Sequence, residues 1–434
     1  MSHCAAKTGF RKTRAEDGGM TIFGMFLFVT TCVIGGMALD VTHLYAARTQ
    51  LQVAADLAGH AAIYTRESRS ENTARLTAIE AVRYGMPEES FGDVLDTPEI
   101  VFGVYENGAF SPLANSRSAV MVTTHRSDAS NNPVDSFLYR MIGKDDWDVV
   151  TRAVYATYRP ACFREGIAAD GVVDLQSNNG FYAGFCVHSN EYVSLNQNNF
   201  FEPGTVVSMP NEEDIDLPNS GFEKNEGLQA ALRSGAYRLR LINQLPQIIE
   251  NLRTRGTEWT PDYISSALVR SITNVRKVAP ADLTPGTTHF IACNGSNLTL
   301  DAGTYQSVVI VTPCDVKFSN GVILEDAVVA TTSINDKSMS APNGLQIGRN
   351  DDCADGGGAQ LLTLGGIDVA SSLTAYNGQL VAAGDVHYAA NADGIRGISI
   401  VAGGEVHGTS NMRMGFCGDG MENNFEVDYF RLVQ

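Results

Sequence analysis

At 434 residues the chain is long enough for two or three domains, each with its own hydrophobic core. Hydrophobic residues make up 44% and charged residues 18%, which excludes a largely disordered chain or one dominated by coiled coil. The formal net charge of −18 argues against nucleic acid as a partner, because no basic excess exists to neutralise phosphates. The 42 glycines show no collagen period and favour a turn-rich β protein.

The first predicted element is a transmembrane helix over residues 20–39, a stretch without a charged residue. At about 1.5 Å per residue it spans roughly 30 Å, the thickness of a hydrocarbon core. The preceding tail, residues 1–19, carries the basic residues Lys7, Arg11, Lys12 and Arg14, and Asp40 follows the span. Basic flanks remain in the cytoplasm, so we expect the tail inside and everything after Asp40 outside.

The apolar pattern continues beyond the span and predicts a helical stalk over residues 40–66. Its apolar residues recur at spacings of three and four: Leu44, Ala47, Leu51, Ala54, Ala55, Ala58 and Ala62. A cleaved signal peptide would have a shorter apolar core and a change of character after it. A buried core helix is a second alternative. A pilin-like leader cut after Gly19 is a third, although Gly24 stands where such pilins generally carry Glu. We interpret the segment as a retained anchor.

Three blocks of sequence around this helix resemble a known family. They are residues 16–19 (Glu-Asp-Gly-Gly), 35–40 (Gly-Gly-Met-Ala-Leu-Asp) and 48–58 (Arg-Thr-Gln-Leu-Gln-Val-Ala-Ala-Asp-Leu-Ala). Together they resemble the N-terminal segment of TadG-like proteins of the tight-adherence (Flp) pilus-assembly system. The resemblance implies the bacterial inner membrane, pilus-assembly proteins as partners and no enzymatic activity. Many such proteins also carry a von Willebrand A domain with an Asp-x-Ser-x-Ser metal motif, and residues 368–372 have the wrong spacing for it.

Residues 67–158 are predicted to form a small α/β region. Residues 71–84 and 134–142 have helical patterns, whereas 100–105, 119–124 and 149–158 are rich in β-formers.

Residues 159–434 contain short repeats that predict a parallel β-helix-like solenoid. The repeats are Val173-Asp-Leu175 with Val193-Ser-Leu195, Leu298-Thr-Leu300 with Val316-Lys-Phe318, and Val386-His387 with Val406-His407. Short strands with inward apolar residues at a period of 18 to 20 stack to bury a row that one repeat alone would expose. Asn at equivalent corners, as at residues 178–179 and 198–199, forms ladders in such folds. An ordinary β-sandwich is the alternative.

A helical insertion is expected over about 220–284, where leucines recur near helical spacing. Several arginines cluster in the same segment, and a solvated helix face is the more common explanation for such charges. They are Arg233, Arg238, Arg240, Arg253 and Arg255. The whole chain is therefore predicted as α+β: an anchor and stalk, a small α/β region and a solenoid with a helical insertion.

Six of the eight cysteines lie in the predicted ectodomain, whereas Cys4 is in the tail and Cys32 in the span. An even number suits disulfides in an oxidising compartment, and no Cys-x-x-Cys pair favours zinc. Sequence proximity suggests Cys162–Cys186, Cys293–Cys314 and Cys353–Cys417, although six cysteines allow about fifteen connectivities.

Two clusters offer candidate chemistry. Asp351, Asp352 and Asp355 lie in a Gly-rich loop and are a weak Ca²⁺ candidate, for which a solvated turn is the alternative. His387 and His407 would face each other across adjacent repeats, as metal ligands or as stacked surface residues. Arg349, Arg396 and Arg413 near these clusters could mimic a polysaccharide lyase, but no catalytic motif supports one.

The sequence therefore predicts a non-enzymatic scaffold, held in the inner membrane with a periplasmic ectodomain and requiring no cofactor. Gly35, Gly36 and Asp40 mark the anchor, and the two glycines allow helices to approach closely, so self-association is a further prediction. A polysaccharide-binding β-helix protein is the alternative function, and a glycan lyase a more remote one.

Overall fold

A computed structural model describes residues 17–254, 257, 259–418 and 420–434. The tail residues Cys4, Lys7, Arg11, Lys12 and Arg14, and Arg255 of the arginine cluster, lie outside the described residues. The chain divides into two compact units. The N-terminal unit comprises Met1–Tyr158 and Asp428–Gln434, and the C-terminal unit comprises Arg159–Val427.

One helix, Asp17–Ser68, dominates the N-terminal unit. It confirms the prediction that the apolar segment and the stalk are continuous. The buried face of its second half consists of Ala47, Leu51, Ala54, Ala55, Ala58, Ala62 and Ile63. This face packs against the helix Glu71–Gly85 and against one sheet, because small alanines let neighbouring elements approach closely. Ser70 caps the second helix by accepting a hydrogen bond from the Thr73 N–H at 3.2 Å.

The sheet of this unit is antiparallel and has five strands. In spatial order they are Ala109–Pro112, Ile100–Glu106, Ala119–Arg126, Val149–Tyr158 and Tyr429–Leu432. Shorter elements are Glu88–Phe91 (helix), the 3₁₀ turns Thr97–Glu99, Asp128–Ser130 and Tyr139–Ile142, and the paired strands Val134–Asp135 and Asp146–Trp147. The last strand, Tyr429–Leu432, pairs with Val149–Tyr158, so the chain end differs from the expectation that 159–434 forms one region.

The helix expected over residues 134–142 is wrong. Val134–Asp135 is a strand and Tyr139–Ile142 a single 3₁₀ turn. The backbone N–H groups of Phe137, Leu138 and Tyr139 are bound by the Asp40 carboxylate, which holds the segment in place without a helical ladder.

The C-terminal unit is built on a 23-stranded sheet whose strands, among the described residues, pair in parallel. Its first strands are Gly166–Ala169, Val173–Leu175, Gly180–Phe181, Cys186–Ser189, Val193–Leu195, Asn199–Phe201, Val206–Met209, Asn225–Glu226 and Leu232–Ser234. The next are Arg270–Val275, Lys277–Val278, Thr287–Cys293, Asn297–Leu300, Gly303–Thr312, Asp315–Phe318, Val322–Thr331, Met339–Ala341 and Leu345–Ile347. The last are Ala359–Thr363, Ile367–Ala382, Val386–Ala402, Val406–Gly408 and Arg413–Gly415.

The repeats recognised in the sequence set the register of this sheet. Val173 lies opposite Val193, Leu298 opposite Val316, and His387 opposite His407. Each repeat therefore pairs with its own copy in the next stretch of chain. The apolar side chains on either side of each paired polar residue point into one continuous hydrophobic cluster. Complete burial of one Val or Leu side chain stabilises the fold by about 1.5–3 kcal/mol.

The order of strands in the sheet departs from the order of the chain at one point. Ser399–Ala402 pairs with Gly166–Ala169, so the first strands of the unit stack on the last ones. Residues 235–269 then carry the chain back to Arg270–Val275, which pairs with Thr287–Cys293. Within this return lies the helix Arg240–Asn251, whose apolar side chains pack on residues of successive strands such as Val309, Val328 and Val381.

The expected helical insertion over 220–284 is therefore only partly helical. Leu228–Ala231 and Arg240–Asn251 are α-helices, accompanied by short 3₁₀ turns such as Gly221–Lys224 and Pro280–Asp282. Leu232–Ser234 is a strand because it pairs in parallel with Val207–Met209, and this pairing overrides the helical spacing of the leucines. The remaining short elements of the unit are Ala161–Arg164 and Glu212–Asp214.

Buried asparagines connect neighbouring strands, as the repeated Asn pairs predict. The backbone N–H of Asn199 donates to Asn225 Oδ1 at 3.1 Å, and that of Asn179 to Asn199 Oδ1 at 2.9 Å. The Met412 N–H donates in turn to Asn179 Oδ1 at 2.9 Å. Each amide thus satisfies a buried backbone donor at a corner where the chain turns.

Candidate functional site

The first half of the long helix presents an uncovered apolar surface. Large side chains along it are mostly exposed, including Met20 at 81%, Phe26 at 72% and Phe28 at 69%. The core helix of a soluble protein is mostly buried, whereas little of this segment is buried among the described residues. By length and composition it can cross a membrane, but a signal sequence meets the same criterion.

Asp40 ends this apolar segment and is 3% exposed. Its carboxylate accepts hydrogen bonds from the backbone N–H groups of Phe137 (2.7 Å), Leu138 (2.8 Å) and Tyr139 (2.7 Å). Burial alone raises the pKa of Asp40, but these hydrogen bonds outweigh it and the pKa lies below its ordinary value. The ionised side chain therefore fixes the 137–139 backbone to the helix.

The two glycines of the predicted anchor have different surroundings. A Cβ at Gly36 would overlap Cδ1 of Leu138, whereas a Cβ at Gly35 would meet no atom within 4 Å. Gly36 is thus required for packing within the N-terminal unit. Gly35 is the position that remains open to a second helix.

A row of polar side chains crosses the outer face of the C-terminal sheet, and we call it the polar row. Its members are opposite one another on successive strands: Lys277, Thr299, Lys317, Ser340, Asp368, His387, His407, Asp174, Ser194 and Asp216. With strands about 4.8 Å apart, the row extends roughly 40 Å. Such a ladder is an extended, solvent-accessible surface with basic residues at one end and acidic residues at the other.

The two histidines lie at the centre of the polar row. Their rings stack with centroids 4.6 Å apart. His407 Nε2 lies 2.9 Å from Glu405 Oε2, and its Nδ1 lies 3.5 Å from Asp174 Oδ2. Together with Gln176 and Asp368 these rings line a cavity of about 300 Å³. The juxtaposition that the repeat predicted is confirmed. It creates a depression with a mixed apolar and polar lining, whose polar side chains can hydrogen-bond hydroxyl groups.

Comparison with known families addresses both units. Residues 166–418 match the family described as "Domain of unknown function (DUF7867)", which covers more than half of the chain. The chain belongs to this DUF7867 family. Residues 18–69 match the family described as "Putative Flp pilus-assembly TadE/G-like", which confirms the resemblance of the N-terminal segment. No curated protein and no solved structure gives a significant match.

The DUF7867 segment carries or adjoins all three disulfides. Cys162–Cys186, Cys293–Cys314 and Cys353–Cys417 are bonded, with Cα atoms 4.8, 6.3 and 5.8 Å apart. The pairing suggested by sequence proximity is therefore confirmed. Strand pairing brings the first two pairs together, because Cys186 lies opposite Gly166 and the strand ending at Cys293 pairs with Gly303–Thr312. Cys353–Cys417 instead joins two loops that are 64 residues apart in sequence.

The predicted calcium loop does not gather its carboxylates around one point. Asp352 Oδ1 accepts a hydrogen bond from Arg396 at 2.8 Å, whereas Asp351 Oδ1 accepts one from the Ala354 N–H at 3.2 Å. Arg349 lies between Asp351 and Asp326, at 3.8 and 3.3 Å. Across the described ranges, no group of three or more His, Cys, Asp or Glu residues is placed to hold a metal ion. Calcium binding through Asp351, Asp352 and Asp355 stays a prediction that this geometry does not favour.

Two of the three arginines considered for lyase chemistry, Arg349 and Arg396, are engaged by carboxylates. Arg396 pairs with Asp352, and Arg349 pairs with Asp326 and with Glu325. They hold an acidic surface loop together, and neither faces the histidine pair across the sheet in a described contact.

Sequence reasoning identified the histidines but missed the rest of the polar row. The signal was present as triplets with a polar residue between two apolar ones, such as Val193-Ser194-Leu195 and Val316-Lys317-Phe318. Aligning every triplet, rather than the closest repeats alone, would have placed Lys317 and Asp216 in the same row.

Proposed function

We propose that this DUF7867-family protein is a single-pass inner-membrane protein that acts as a scaffold in the assembly of a Tad/Flp-type adhesive pilus. One observation carries the proposal: the TadE/G-like match over residues 18–69 coincides with the helix Asp17–Ser68. Its first half is the uncovered apolar segment, and its second half packs into a folded unit. An anchor continuous with a rigid stalk suits a component that holds a partner at a fixed distance from the membrane.

Charge and disulfides support the orientation. The basic tail precedes the apolar segment, and the acidic residue Asp40 follows it, so the N-terminus would be cytoplasmic. The three disulfides, all between residues 162 and 417, fit an oxidising compartment such as the periplasm.

We further infer that the large parallel sheet winds into a β-helix. Its support is the register: Val187 pairs with Ile167 twenty residues before it and with Val207 twenty residues after it. Each repeat therefore forms one layer of strands between the repeat before it and the repeat after it. Stacking of these layers buries the apolar row of each repeat. The polar row would then run along one outer face and offer partners a straight surface of roughly 40 Å. A scaffold needs such a surface and no catalytic group, which is why we propose no enzymatic activity.

The proposal is tested by purifying the tagged, full-length chain from its native membranes in mild detergent and identifying co-purifying proteins and its own N-terminus by mass spectrometry. We expect pilin, secretion ATPase or secretin components together with an intact N-terminus. A matched control carries Val29→Arg and Val33→Arg, which cost about 2.5–3.5 kcal/mol each at the centre of a membrane helix and should release the chain from carbonate-washed membranes. Absence of every pilus component would reject the assembly role, and an N-terminus at Met20 would reject the retained anchor.

A second candidate function is binding of an envelope polysaccharide, favoured by the cavity at the centre of the polar row. Asp174, Gln176 and His407 supply hydrogen-bonding groups of the kind that hold sugar hydroxyls. Co-sedimentation of the protein with purified envelope polysaccharide tests this function. Binding that is abolished by Asp174→Ala with His387→Ala, but unaffected by Lys277→Ala at the end of the row, would support it; equal binding by all variants would exclude the cavity.

A further inference from the structure

A second apolar surface lies in the N-terminal unit, on the loop of residues 136–147. Phe137 is 64% exposed, Met141 81% and Ile142 68%. The three residues fall within six positions, so this one loop exposes several large apolar side chains, and we call them the patch. The loop contains the 3₁₀ turn Tyr139–Ile142 and ends in the strand Asp146–Trp147, which pairs with Val134–Asp135.

The loop is attached to the long helix at one particular level. The carboxylate of Asp40 binds three consecutive N–H groups of the loop, and the His43 and Phe137 rings are 5.2 Å apart. The Leu138 side chain packs onto Gly36. Gly36 lies four residues before Asp40, which is about 6 Å along the helix and inside the uncharged segment. The patch therefore sits where the apolar segment gives way to the polar stalk.

The polar side chains of the loop have the composition typical of a membrane interface. The Tyr139 and Trp147 rings meet edge-to-face at 5.5 Å, and the Lys144 ammonium lies 5.1 Å from the Trp147 ring centroid. Aromatic rings and long basic side chains are enriched at the level of lipid headgroups because one part of each is apolar and the other polar. Arg140 is neutralised by Asp135 and Asp145, at 3.6 and 3.5 Å.

We propose that the 136–147 loop is a second membrane contact, with Phe137, Met141 and Ile142 inserted into the leaflet from which the stalk emerges. The inference rests on the proposed insertion of residues 20–39, since Asp40 and Gly36 place the loop at the end of that span. Its partner is the lipid bilayer, because the patch continues the apolar surface of the helix at the same level. Because Arg140 is paired with two aspartates, the loop presents no basic patch to the membrane. Insertion therefore depends on burial of the apolar side chains in the lipid and does not require anionic lipid.

Two attachment points have a mechanical consequence. A lone helix can rotate about its axis and tilt in the bilayer, whereas a helix with a side loop held in the same leaflet has a defined rotation. Asp40 is then a positioning residue, since it holds the loop on the helix through backbone hydrogen bonds.

The experiment measures fluorescence quenching by brominated lipids with the full-length chain in phosphatidylcholine nanodiscs. The chain has two tryptophans, Trp147 and Trp259, and both are replaced by Phe. Into this background a single reporter is placed by Met141→Trp for the loop or Phe28→Trp for the middle of the helix. A water control is Tyr84→Trp, because Tyr84 is 92% exposed. Its neighbour Gly85 lines the same cavity as Thr49, which lies about 14 Å beyond Asp40 along the helix.

Bromine near the carbonyl end of the acyl chain is expected to quench the loop reporter and bromine near the methyl end the helix reporter, while the control is unchanged. The loop reporter should also show a blue-shifted emission maximum that persists in high salt. A quenched helix reporter with an unquenched loop reporter would overturn the loop contact but leave the anchor intact. An unquenched helix reporter would overturn the anchor itself and the loop contact with it. An unquenched loop reporter whose emission is blue-shifted only when a second copy occupies the same nanodisc would assign the patch to self-association instead.

Discussion

Replacing Asn199 by Ala tests whether the buried asparagine row holds neighbouring strands together. The Asn199 side chain is 2% exposed and makes three contacts. Its Oδ1 accepts from the Asn179 N–H at 2.9 Å, and its Nδ2 donates to Asn225 Oδ1 and to the Asn196 carbonyl at 3.1 and 3.0 Å.

The magnitude follows from which groups are left without partners. The Asn179 N–H stays buried and loses its acceptor, which costs about 1–3 kcal/mol. Asn225 Oδ1 still accepts from the Asn199 N–H, and the carbonyl of exposed Asn196 can bind water, so each of these losses costs about 0.5–1 kcal/mol. The free energy of unfolding should therefore fall by roughly 2–5 kcal/mol.

The assay is urea unfolding followed by circular dichroism in the β region, with the change in midpoint converted through the m-value. Asn196→Ala is the matched control, since this exposed neighbour should change stability by less than about 0.5 kcal/mol. Asn199→Asp keeps the acceptor but places a carboxylate against Asn225 Oδ1. It should destabilise at neutral pH and recover in acid, where the protonated carboxyl can donate. An Asn199→Ala variant as stable as the control would refute the idea that these amides stabilise the sheet.

Three further predictions concern other sites. Because the pKa of Asp40 is lowered in the folded chain, its stabilising effect is present above the ordinary Asp value of about 3.9 and is lost as the pH falls through the folded value. Asp40→Asn should therefore speed amide hydrogen exchange at residues 137–139 at neutral pH, and equal exchange in both proteins would contradict this. Burial lowers the pKa of His188, so stability should decline as the pH falls below about 6.5, and a His188→Gln variant that melts with the same pH profile would count against it. Gly35→Leu should reduce cross-linked oligomers in membranes without altering melting, whereas Gly36→Leu should lower the melting temperature; unchanged cross-linking by Gly35→Leu would reject that interface.

The features that sequence predicted well are those repeated within the chain. Val173, Val193 and the strand order around them follow from a period of twenty residues, because equivalent side chains must share the same burial in each repeat. The long helix followed in the same way from an uninterrupted spacing of three and four. Two of the three disulfides follow from the repeat, because Cys162–Cys186 and Cys293–Cys314 are 24 and 21 residues apart, about one period. The third, Cys353–Cys417, spans 64 residues and was suggested only because these two cysteines remained.

The sequence did not reveal contacts that depend on a single pair of distant residues. Leucines at 228 and 232 have the spacing of one helix, but the second belongs to a strand because Val207 lies beside it in space. Nothing in the apolar run around Leu138 indicated that it would lie against Gly36 and Asp40, about a hundred positions earlier.

A non-local contact of this kind decides the membrane contact proposed for the 136–147 loop. Asp40 was identified only as the charge that ends a membrane span, whereas in the folded unit its carboxylate has a second role, holding three backbone N–H groups. A charge at a membrane boundary needs no partner, because headgroup water solvates it. Burial of this carboxylate is therefore better explained by the loop that it fixes, and Asp40→Glu separates the two roles. A glutamate still marks the boundary but displaces the carboxylate by one methylene, so anchoring should persist while quenching of the loop reporter declines.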